Sequence, residues 1–427
     1  MRTLLWFVAL FGIAVAIALF AGNNLGTITV FWPPHRIDLS LNLVLLLLVG
    51  FFFTLYVALR ALSVLLALPA EARRWRMLQR ERALQLGLLD TLAQLLAGRF
   101  IRARKSAENL LMQEKALASI DDPLPYGANL RAMAHLLAAE SAHALLDRSG
   151  RDAHARMVLD KVPSRDEQIL HEGAQLRATR WALSDRDVHV AFGLLNELPK
   201  GLARRTLALR LRFKAERLAG HTQAALETAR LLAKHRAFSP MAAQSILQGL
   251  ARERVQGARD PAQLQKVWAQ LEISEQFTPE VATQAADQML LLGGDVTLAQ
   301  QWLLPVWEQM LKSPKASLSP DQQIQLVRLL ERSFAQTSGG PDADWLARIE
   351  TAQLSQPGNA LLQYLAGFAC LRLSLWGKAQ QLIRQSLTQL DNDQLKRQAW
   401  VALAQLAQQR EDAQAEIEAW RQAAKIT

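Results

Sequence analysis

The stretch LVLLLLVGFFFTLYVALRAL, from Leu43 to Leu62, contains no charged residue before Arg60. It belongs to an uncharged run of 21 residues that extends from Leu39 to Leu59. As an α-helix, such a run is roughly 30 Å long, which matches the thickness of the hydrocarbon layer of a bilayer. The stretch therefore predicts a membrane-spanning helix over about residues 39–62.

A second apolar run, from Thr3 to Ala21, precedes it and has 19 residues without a charge. The intervening segment GNNLGTITVFWPPHRID, residues 22–38, contains glycine, asparagine and two prolines, which break helices. We therefore predict two transmembrane helices, at about 3–21 and 39–62, joined by a short loop. A cleaved signal peptide is the alternative for the first run, although that run exceeds the usual length of about 7–15 residues.

Basic residues are concentrated directly after the second apolar run. Residues 60–105 contain ten lysines and arginines but only three acidic residues, whereas the whole chain has a net charge of +10. We call five of the arginines the arginine collar: Arg73, Arg74, Arg76, Arg80 and Arg82. Because arginine near the end of a span marks the cytoplasmic side, the rest of the chain is predicted to be cytoplasmic. The collar is also expected to contact anionic lipids, and this explains it better than nucleic-acid binding.

The remaining sequence predicts an all-α fold. It is rich in alanine, leucine, glutamine, arginine and glutamate, which favour helix, and shows little of the alternation typical of strands. A single cysteine, Cys370, excludes an intramolecular disulfide and a cysteine cluster that binds metal. Cys370 lies in an apolar segment, which indicates a buried packing thiol.

Two series of residues indicate helical repeats. Prolines recur about every 39 residues: Pro125, Pro163, Pro199, Pro240, Pro279, Pro320 and Pro357. Within these intervals, a small residue follows a turn-like position near the start of each amphipathic segment: Ala103, Ala155, Ala191, Ala225, Ala262, Ala299 and Ala379. Alanine at such a position allows two helices to approach closely. The pattern predicts stacked antiparallel helix pairs.

The C-terminal copies resemble the tetratricopeptide repeat. In AGFACLRLSLWGKAQQLIRQS, Gly367, Ala379 and Ser386 occupy its small-residue positions, and Trp400, Leu403, Ala404, Trp420 and Ala423 keep much of the same pattern. Two departures are the interval, which exceeds the usual 34 residues, and Glu416, which replaces a small residue. A HEAT-like hairpin of about 40 residues also fits this spacing.

The whole layout resembles the HemY-type membrane proteins of proteobacteria. The resemblance rests on the opening MRTLLWFVALFGIAVAIAL, the WPPHRIDLSLN segment, the arginine collar, and the block from Leu207 to Pro240. It implies a bacterial inner-membrane protein associated with a late step of haem synthesis. Ferrochelatase and the porphyrinogen oxidase would then be its partners.

Catalytic motifs are not found in the sequence. There is no glycine-rich nucleotide loop, no C-x-x-C-H haem attachment motif, and no local arrangement of a nucleophile with a base. We predict no cofactor and no metal; haem or porphyrin binding is the alternative, for which His135 and His143 could share a helix face. Six tryptophans lie in the C-terminal third, and most of them are expected to pack between helices: Trp302, Trp307, Trp345, Trp376, Trp400 and Trp420.

Together these features predict a non-enzymatic scaffold with three regions. Residues 1–68 form the membrane anchor, 69–105 a basic juxtamembrane helical region, and 106–427 a tetratricopeptide-like α-solenoid. The scaffold would bring late haem-pathway enzymes together at the cytoplasmic face of the inner membrane. Two alternatives are a carrier that binds haem or porphyrin, and an adaptor for envelope or lipopolysaccharide assembly.

Overall fold

A computed structural model describes residues 2–23, 26–118, 126–312, 318–337 and 339–426. The chain forms two compact units, residues 1–161 and 162–427, and each is described separately. Both units are built almost wholly from α-helices, as the composition predicts. Pro125 lies outside the described residues.

The first unit contains the membrane anchor and two helix pairs. Its elements are α1 (Arg2–Asn23), β1 (Thr27–Trp32), β2 (His35–Ser40), α2 (Leu41–Leu96), α3 (Phe100–Ala118), α4 (Gly127–Ala144) and α5 (Arg148–Leu159). The C-terminal part of α2 pairs with α3, and α4 pairs with α5. Leu84, Leu110 and Leu130 form a small apolar core between these helices.

The short connection between the first two helices is a β-hairpin. β1 and β2 pair antiparallel, from Thr27 opposite Ser40 to Trp32 opposite His35. The peptide bond between Pro33 and Pro34 at the tip is cis. The alternation of polar and apolar residues at the start of TITVFW, residues 27–32, is typical of a strand. It was overlooked because the segment was judged by its helix-breaking residues.

The second predicted span is one part of a much longer helix. α2 begins at Leu41, where the Ser40 hydroxyl accepts a hydrogen bond from the Leu43 N–H, and continues to Leu96. Residues 70–96 are mostly strong helix formers, so the helix does not end at the predicted boundary of 62. It ends before Gly98, whose φ of +71° suits glycine.

The second unit consists of sixteen helices in its described residues. They are α6 (Gln168–Ser184), α7 (Val188–Asn196), α8 (Lys200–Ala203), α9 (Thr206–Leu218), α10 (Thr222–Lys234), α11 (Pro240–Gln256), α12 (Pro261–Ala269), α13 (Ile273–Gln276), α14 (Pro279–Leu291), α15 (Val296–Lys312), α16 (Pro320–Gln336), α17 (Ala343–Ser355), α18 (Ala360–Arg372), α19 (Trp376–Leu387), α20 (Asp393–Gln409) and α21 (Ala413–Lys425).

These helices stack as consecutive pairs, which confirms the predicted solenoid. The first helices of successive pairs contact one another in the order α11, α14, α16, α18 and α20. Second helices contact the first helix of the following pair, as α19 contacts α20. Each pair therefore packs against its neighbours in sequence, which is the arrangement of an α-solenoid.

The turns and prolines of the repeats have the roles that the sequence indicated. Pro240, Pro279 and Pro320 are each the first residue of a helix, where a missing N–H costs nothing. Leu146 and Arg186 have φ near +60°, and the aspartate that follows each of them caps the next helix.

The small-residue series is confirmed at six of its seven positions. Ala103, Ala155, Ala191, Ala225, Ala299 and Ala379 are all buried. Ala262 is exposed instead, and in that helix Leu264 and Val267 are the buried residues. The weakest of the aligned copies was therefore placed incorrectly, because Pro261 begins α12 and shifts its buried face.

Gly367 on α18 offers a test of the close packing between α18 and α19. A Cβ atom at this position would lie 2.6 Å from Ile383 Cγ1 and 3.1 Å from the Ile383 backbone nitrogen. Gly367→Val is therefore expected to lower the free energy of unfolding by about 1–3 kcal/mol. Gly377→Ala on α19 is the matched control, because nothing lies within 4 Å of its Cβ position. The control should raise stability by up to about 1 kcal/mol.

Thermal unfolding of the full chain in detergent, followed by circular dichroism, measures both changes. The account predicts a lower Tm for Gly367→Val and an unchanged or higher Tm for Gly377→Ala. Equal Tm values for the two variants would contradict the close approach of the helices.

Candidate membrane face and partner groove

The N-terminal part of α2 presents an apolar surface suited to lipid. Leu41–Leu66 is long and apolar enough to cross a membrane, and none of it is buried within the protein. Exposed side chains such as Leu46, Val49 and Phe53 surround this part of the helix. The Thr54 and Ser63 hydroxyls donate to the Gly50 and Arg60 carbonyl oxygens at 2.9 and 2.7 Å. The Tyr56 hydroxyl accepts from the Arg60 guanidinium at 3.0 Å, so the helix satisfies these polar groups itself.

The first apolar run forms the helix α1, but its role as a span stays a prediction. Among the described residues, Leu41–Leu66 is the one stretch that meets the length and composition of a span. Within α1 the apolar part is the shorter Val8–Leu19. The described residues thus contain one candidate membrane helix.

The arginine collar follows this span on the same helix. All five of its residues lie within α2, although the side chains of Arg73 and Arg74 lie outside the described part of the chain. Arg76, Arg80 and Arg82 are exposed, and no ion pair to another described residue is found for them. The Glu81 carboxylate accepts a hydrogen bond from the Tyr126 hydroxyl, which ties α2 to the start of α4.

Two histidines meet between α4 and α5. The Nδ1 atoms of His135 and His154 are 3.0 Å apart, so one neutral ring can donate to the other. Burial lowers the pKa of His135 to about 4, with further contributions from His154 and the Arg131 guanidinium. Burial also lowers the pKa of His154. His143, on the same helix as His135, lies beside Arg151, with 3.4 Å between its Nδ1 and the guanidinium.

This histidine pair predicts a loss of stability in mildly acidic solution. Because the folded-state pKa values lie below the ordinary value of about 6.5, the pair favours the folded state above that pH, and the contribution is lost as the pH falls towards 4. Allowing for the partial solvent exposure of the two rings, we expect the free energy of unfolding to fall by roughly 1–2 kcal/mol between pH 7 and pH 5. The measurement is the Tm of the full chain at pH 7 and at pH 5.

The variant His135→Gln should reduce this pH dependence, because glutamine keeps a hydrogen-bonding side chain that does not titrate. His189→Gln, at an exposed position on α7, is the control and should behave like the parent protein. If His135→Gln and the parent lose the same stability between pH 7 and pH 5, the pair is not the cause.

A groove lies across the first helices of the last repeats in the second unit. It consists of two adjoining depressions of about 400 and 590 Å³, which share Glu331, Ala335 and Gln398. We call this surface the partner groove. Its glutamines come from α16 and α20: Gln325, Gln394, Gln398, Gln405, Gln408 and Gln409.

Charged residues of both signs lie among these glutamines. Arg332 donates to the Asp287 carboxylate at 3.0 Å, which links α16 to α14. Arg372 donates to the Ala335 carbonyl oxygen at 3.3 Å, which links α18 to α16. Burial raises the pKa of Glu331, and burial with the nearby Glu331 carboxylate raises the pKa of the Tyr364 hydroxyl. The groove therefore offers amide and charged groups held on rigid helices.

Most tryptophans of the C-terminal third pack between helices, as expected. Trp302, Trp307 and Trp345 are buried, and the rings of Trp268 and Trp302 stack with centroids 4.6 Å apart. Trp376 is half-buried and lines the partner groove, whereas Trp420 is exposed on α21. Cys370 is buried and burial raises the pKa of its thiol, which fits its predicted packing role.

No group of three or more histidine, cysteine, aspartate or glutamate side chains is placed to hold a metal ion in the part of the chain that the structure describes. The groove residues were not predicted from the sequence, because they come from five helices, α14, α16, α18, α19 and α20, and no local pattern relates them. The only available signal was the glutamine content of α20, AQLAQQ, which resembles an ordinary solvated helix face.

Comparisons with known proteins find a family model that is similar to part of this chain. Residues 26–145, from the β-hairpin to α4, match the family model described as the HemY protein N-terminus. A search of curated proteins found no match. The matched segment includes the WPPHRIDLSLN segment and the arginine collar, two of the features on which the sequence resemblance rests.

Solved helical proteins are similar only in a general way. The Naa15/Naa10 complex bound to HypK-THB matches with 12% identity and a TM-score of 0.24, over 76% of this chain and 56% of that one. The TPR domain of P58(IPK) matches with 16% identity and a TM-score of 0.22, over 77% of this chain and 99% of that one. The solenoid assignment rests on the helix contacts described above. From the family match, the chain carries a HemY-type N-terminal region at residues 26–145, and stacked helix pairs follow it.

Proposed function

We propose that this protein is a non-enzymatic scaffold of haem biosynthesis in the bacterial inner membrane. A membrane helix fixes the chain at the bilayer, and the stacked helix pairs bind other proteins on its cytoplasmic side. The observation that carries the proposal is the presence of both features in one chain. They are an apolar helix, left uncovered by the described protein, within a HemY-type N-terminal region, and a groove lined by amide and charged side chains.

The mechanism of such a scaffold is effective concentration. Two enzymes held beside one another at the membrane meet as if they were joined, so their encounter becomes nearly intramolecular. The HemY-type resemblance suggests late haem-pathway enzymes, ferrochelatase and the porphyrinogen oxidase, as the partners. A porphyrin intermediate is apolar, and its transfer between enzymes held together limits its release into the membrane or the cytoplasm.

The arginine collar would orient this assembly. Its five arginines lie just after the span, where arginine favours retention on the cytoplasmic side. Each basic residue near an anionic bilayer contributes about 1 kcal/mol of attraction. In this proposal the collar holds the start of the repeat region at the inner leaflet.

The test is affinity purification of the tagged full chain from bacterial membranes, with identification of the bound proteins. We expect a late haem-pathway enzyme to be retained, and loss of the chain to cause porphyrin accumulation. If the haem pathway is intact without the protein and envelope-assembly proteins are retained instead, the chain is an adaptor for another pathway.

Two further assays separate the scaffold from the other functions. Turnover of a porphyrin substrate by the purified full chain would show an enzyme and reject the proposal. Titration of the same sample with haem, followed at the Soret band, should give no saturable binding. Stoichiometric binding would favour a carrier.

A further inference from the structure

The β-hairpin that precedes α2 has one apolar face and one polar face. Successive side chains of a strand point to opposite faces, and the cross-strand register fixes which residues lie together. We call one side the apolar hairpin face, formed by Ile28, Val30, Trp32, Ile37 and Leu39, with His35 opposite Trp32 at the tip. The opposite face carries Thr27, Thr29, Phe31, Arg36, Asp38 and Ser40.

The apolar hairpin face is largely uncovered by the described residues of its own unit. Trp32 is 73% exposed, Ile37 49% and Val30 42%. An isolated two-stranded hairpin is only marginally stable in water. An apolar face exposed to water is an additional unfavourable feature of this hairpin. A covering surface would therefore stabilise this element.

The polar face pairs its charged groups with one another, although its aromatic side chain, Phe31, is 74% exposed. The Arg36 guanidinium pairs with the Asp38 carboxylate at 3.3 Å. The same guanidinium lies over the ring of Phe31, 5.6 Å from its centroid. It makes a cation–π contact with the one aromatic side chain of this face. This side of the hairpin is suited to water.

The hairpin is continuous with the membrane helix. β2 ends at Ser40 and the candidate span begins at Leu41, without a linker. The Leu41 N–H donates to the Gly26 carbonyl oxygen at 2.8 Å, so the hydrogen bonding of the hairpin extends to the first residue of α2. The base of the hairpin is therefore held where α2 enters the lipid, at the end opposite the arginine collar.

We propose that the hairpin lies on the membrane surface, with its apolar face in the lipid interface and its polar face in water. A tryptophan at the tip of the apolar face suits this position, because indole rings are favoured at the membrane interface. The hairpin then acts as a second anchor point that fixes the depth of α2. This inference rests on α2 as a membrane helix and is independent of the partners of the repeat region.

The test uses single cysteines in the full chain with Cys370→Ala, labelled with the fluorophore NBD. Val30→Cys and Ile37→Cys report on the apolar hairpin face, and Thr29→Cys on the polar face. Val49→Cys, near the middle of the span, is the positive control. The labelled proteins are reconstituted in vesicles of phosphatidylethanolamine and phosphatidylglycerol, with and without lipids that carry a doxyl quencher in the acyl chain.

We expect blue-shifted emission and strong lipid quenching at Val30 and Ile37, and neither at Thr29. If Val49 is quenched but both apolar-face positions give red-shifted, unquenched emission, the face is in water and the proposal fails. Blue-shifted emission without lipid quenching would show that protein covers the face, which also overturns it. Absence of quenching at Val49 would instead reject α2 as a span and the membrane anchor with it.

Discussion

Replacing Arg230 by methionine is expected to lower the free energy of unfolding by about 3–5 kcal/mol, because it leaves a buried carboxylate without its cation. Arg230 on α10 donates to both oxygens of Glu275, at 2.9 and 2.5 Å, and the Glu275 side chain is only 5% exposed. The Glu275 hydrogen bond raises the pKa of Arg230, which therefore stays charged. The pair connects α10 to the short helix α13, two repeats that are otherwise linked through α11 and α12.

The structure provides a matched control for this substitution. Arg217 pairs with Glu253 at 2.5 Å, but both side chains are more than 40% exposed. Arg217→Met should therefore cost at most about 1 kcal/mol. Thermal unfolding in detergent compares the two variants, and limited proteolysis should show new cleavage near α13, since repeats lose stability locally. Similar Tm values for the two variants would contradict the claim that burial of Glu275 makes the loss of Arg230 more costly than the loss of Arg217.

Changing all five collar residues, Arg73, Arg74, Arg76, Arg80 and Arg82, to glutamine is expected to mix the orientation of the chain in the membrane. The change removes about 5 kcal/mol of attraction to an anionic surface, at about 1 kcal/mol for each arginine. It also removes half of the ten basic residues in the segment 60–105. The measurement is the protection of a C-terminal tag from protease in spheroplasts, before and after lysis.

A control with the same change in net charge separates orientation from general charge effects. Five exposed arginines of the second unit are changed to glutamine: Arg165, Arg180, Arg252, Arg384 and Arg397. We expect full protection of the tag in the parent and in this control, and a fraction of accessible tag in the collar variant. Full protection in the collar variant would show that the collar does not set the orientation.

The elements that follow from local sequence were predicted well. The candidate span is recognised from the absence of charge between Leu39 and Leu59, because hydrocarbon tolerates few charges over such a length. Buried alanines such as Ala191 and Ala299 follow from the need for close contact within each helix pair. The match of residues 26–145 to the HemY protein N-terminus confirms the resemblance stated from the collar and the segment before the span.

Features that depend on distant residues were not predicted. The partner groove joins Asp287, Glu331, Arg372 and Gln398, which come from four helices, and no local pattern relates them. The contact of His135 with His154 was missed for the same reason, since only residues on one helix had been compared. The hairpin was not predicted although its alternation is local, because the glycine, asparagine and proline residues of this segment were interpreted only as helix breakers.

Site-specific photo-crosslinking in living bacteria tests the central claim most directly. A photoreactive amino acid replaces Gln405 in the partner groove, and in a matched strain it replaces Gln385, which is exposed on α19. We expect ferrochelatase or the porphyrinogen oxidase to be captured from Gln405 and not from Gln385. Capture of neither enzyme from the groove, in cells where the protein is present in the membrane, would contradict the scaffold of haem biosynthesis proposed here.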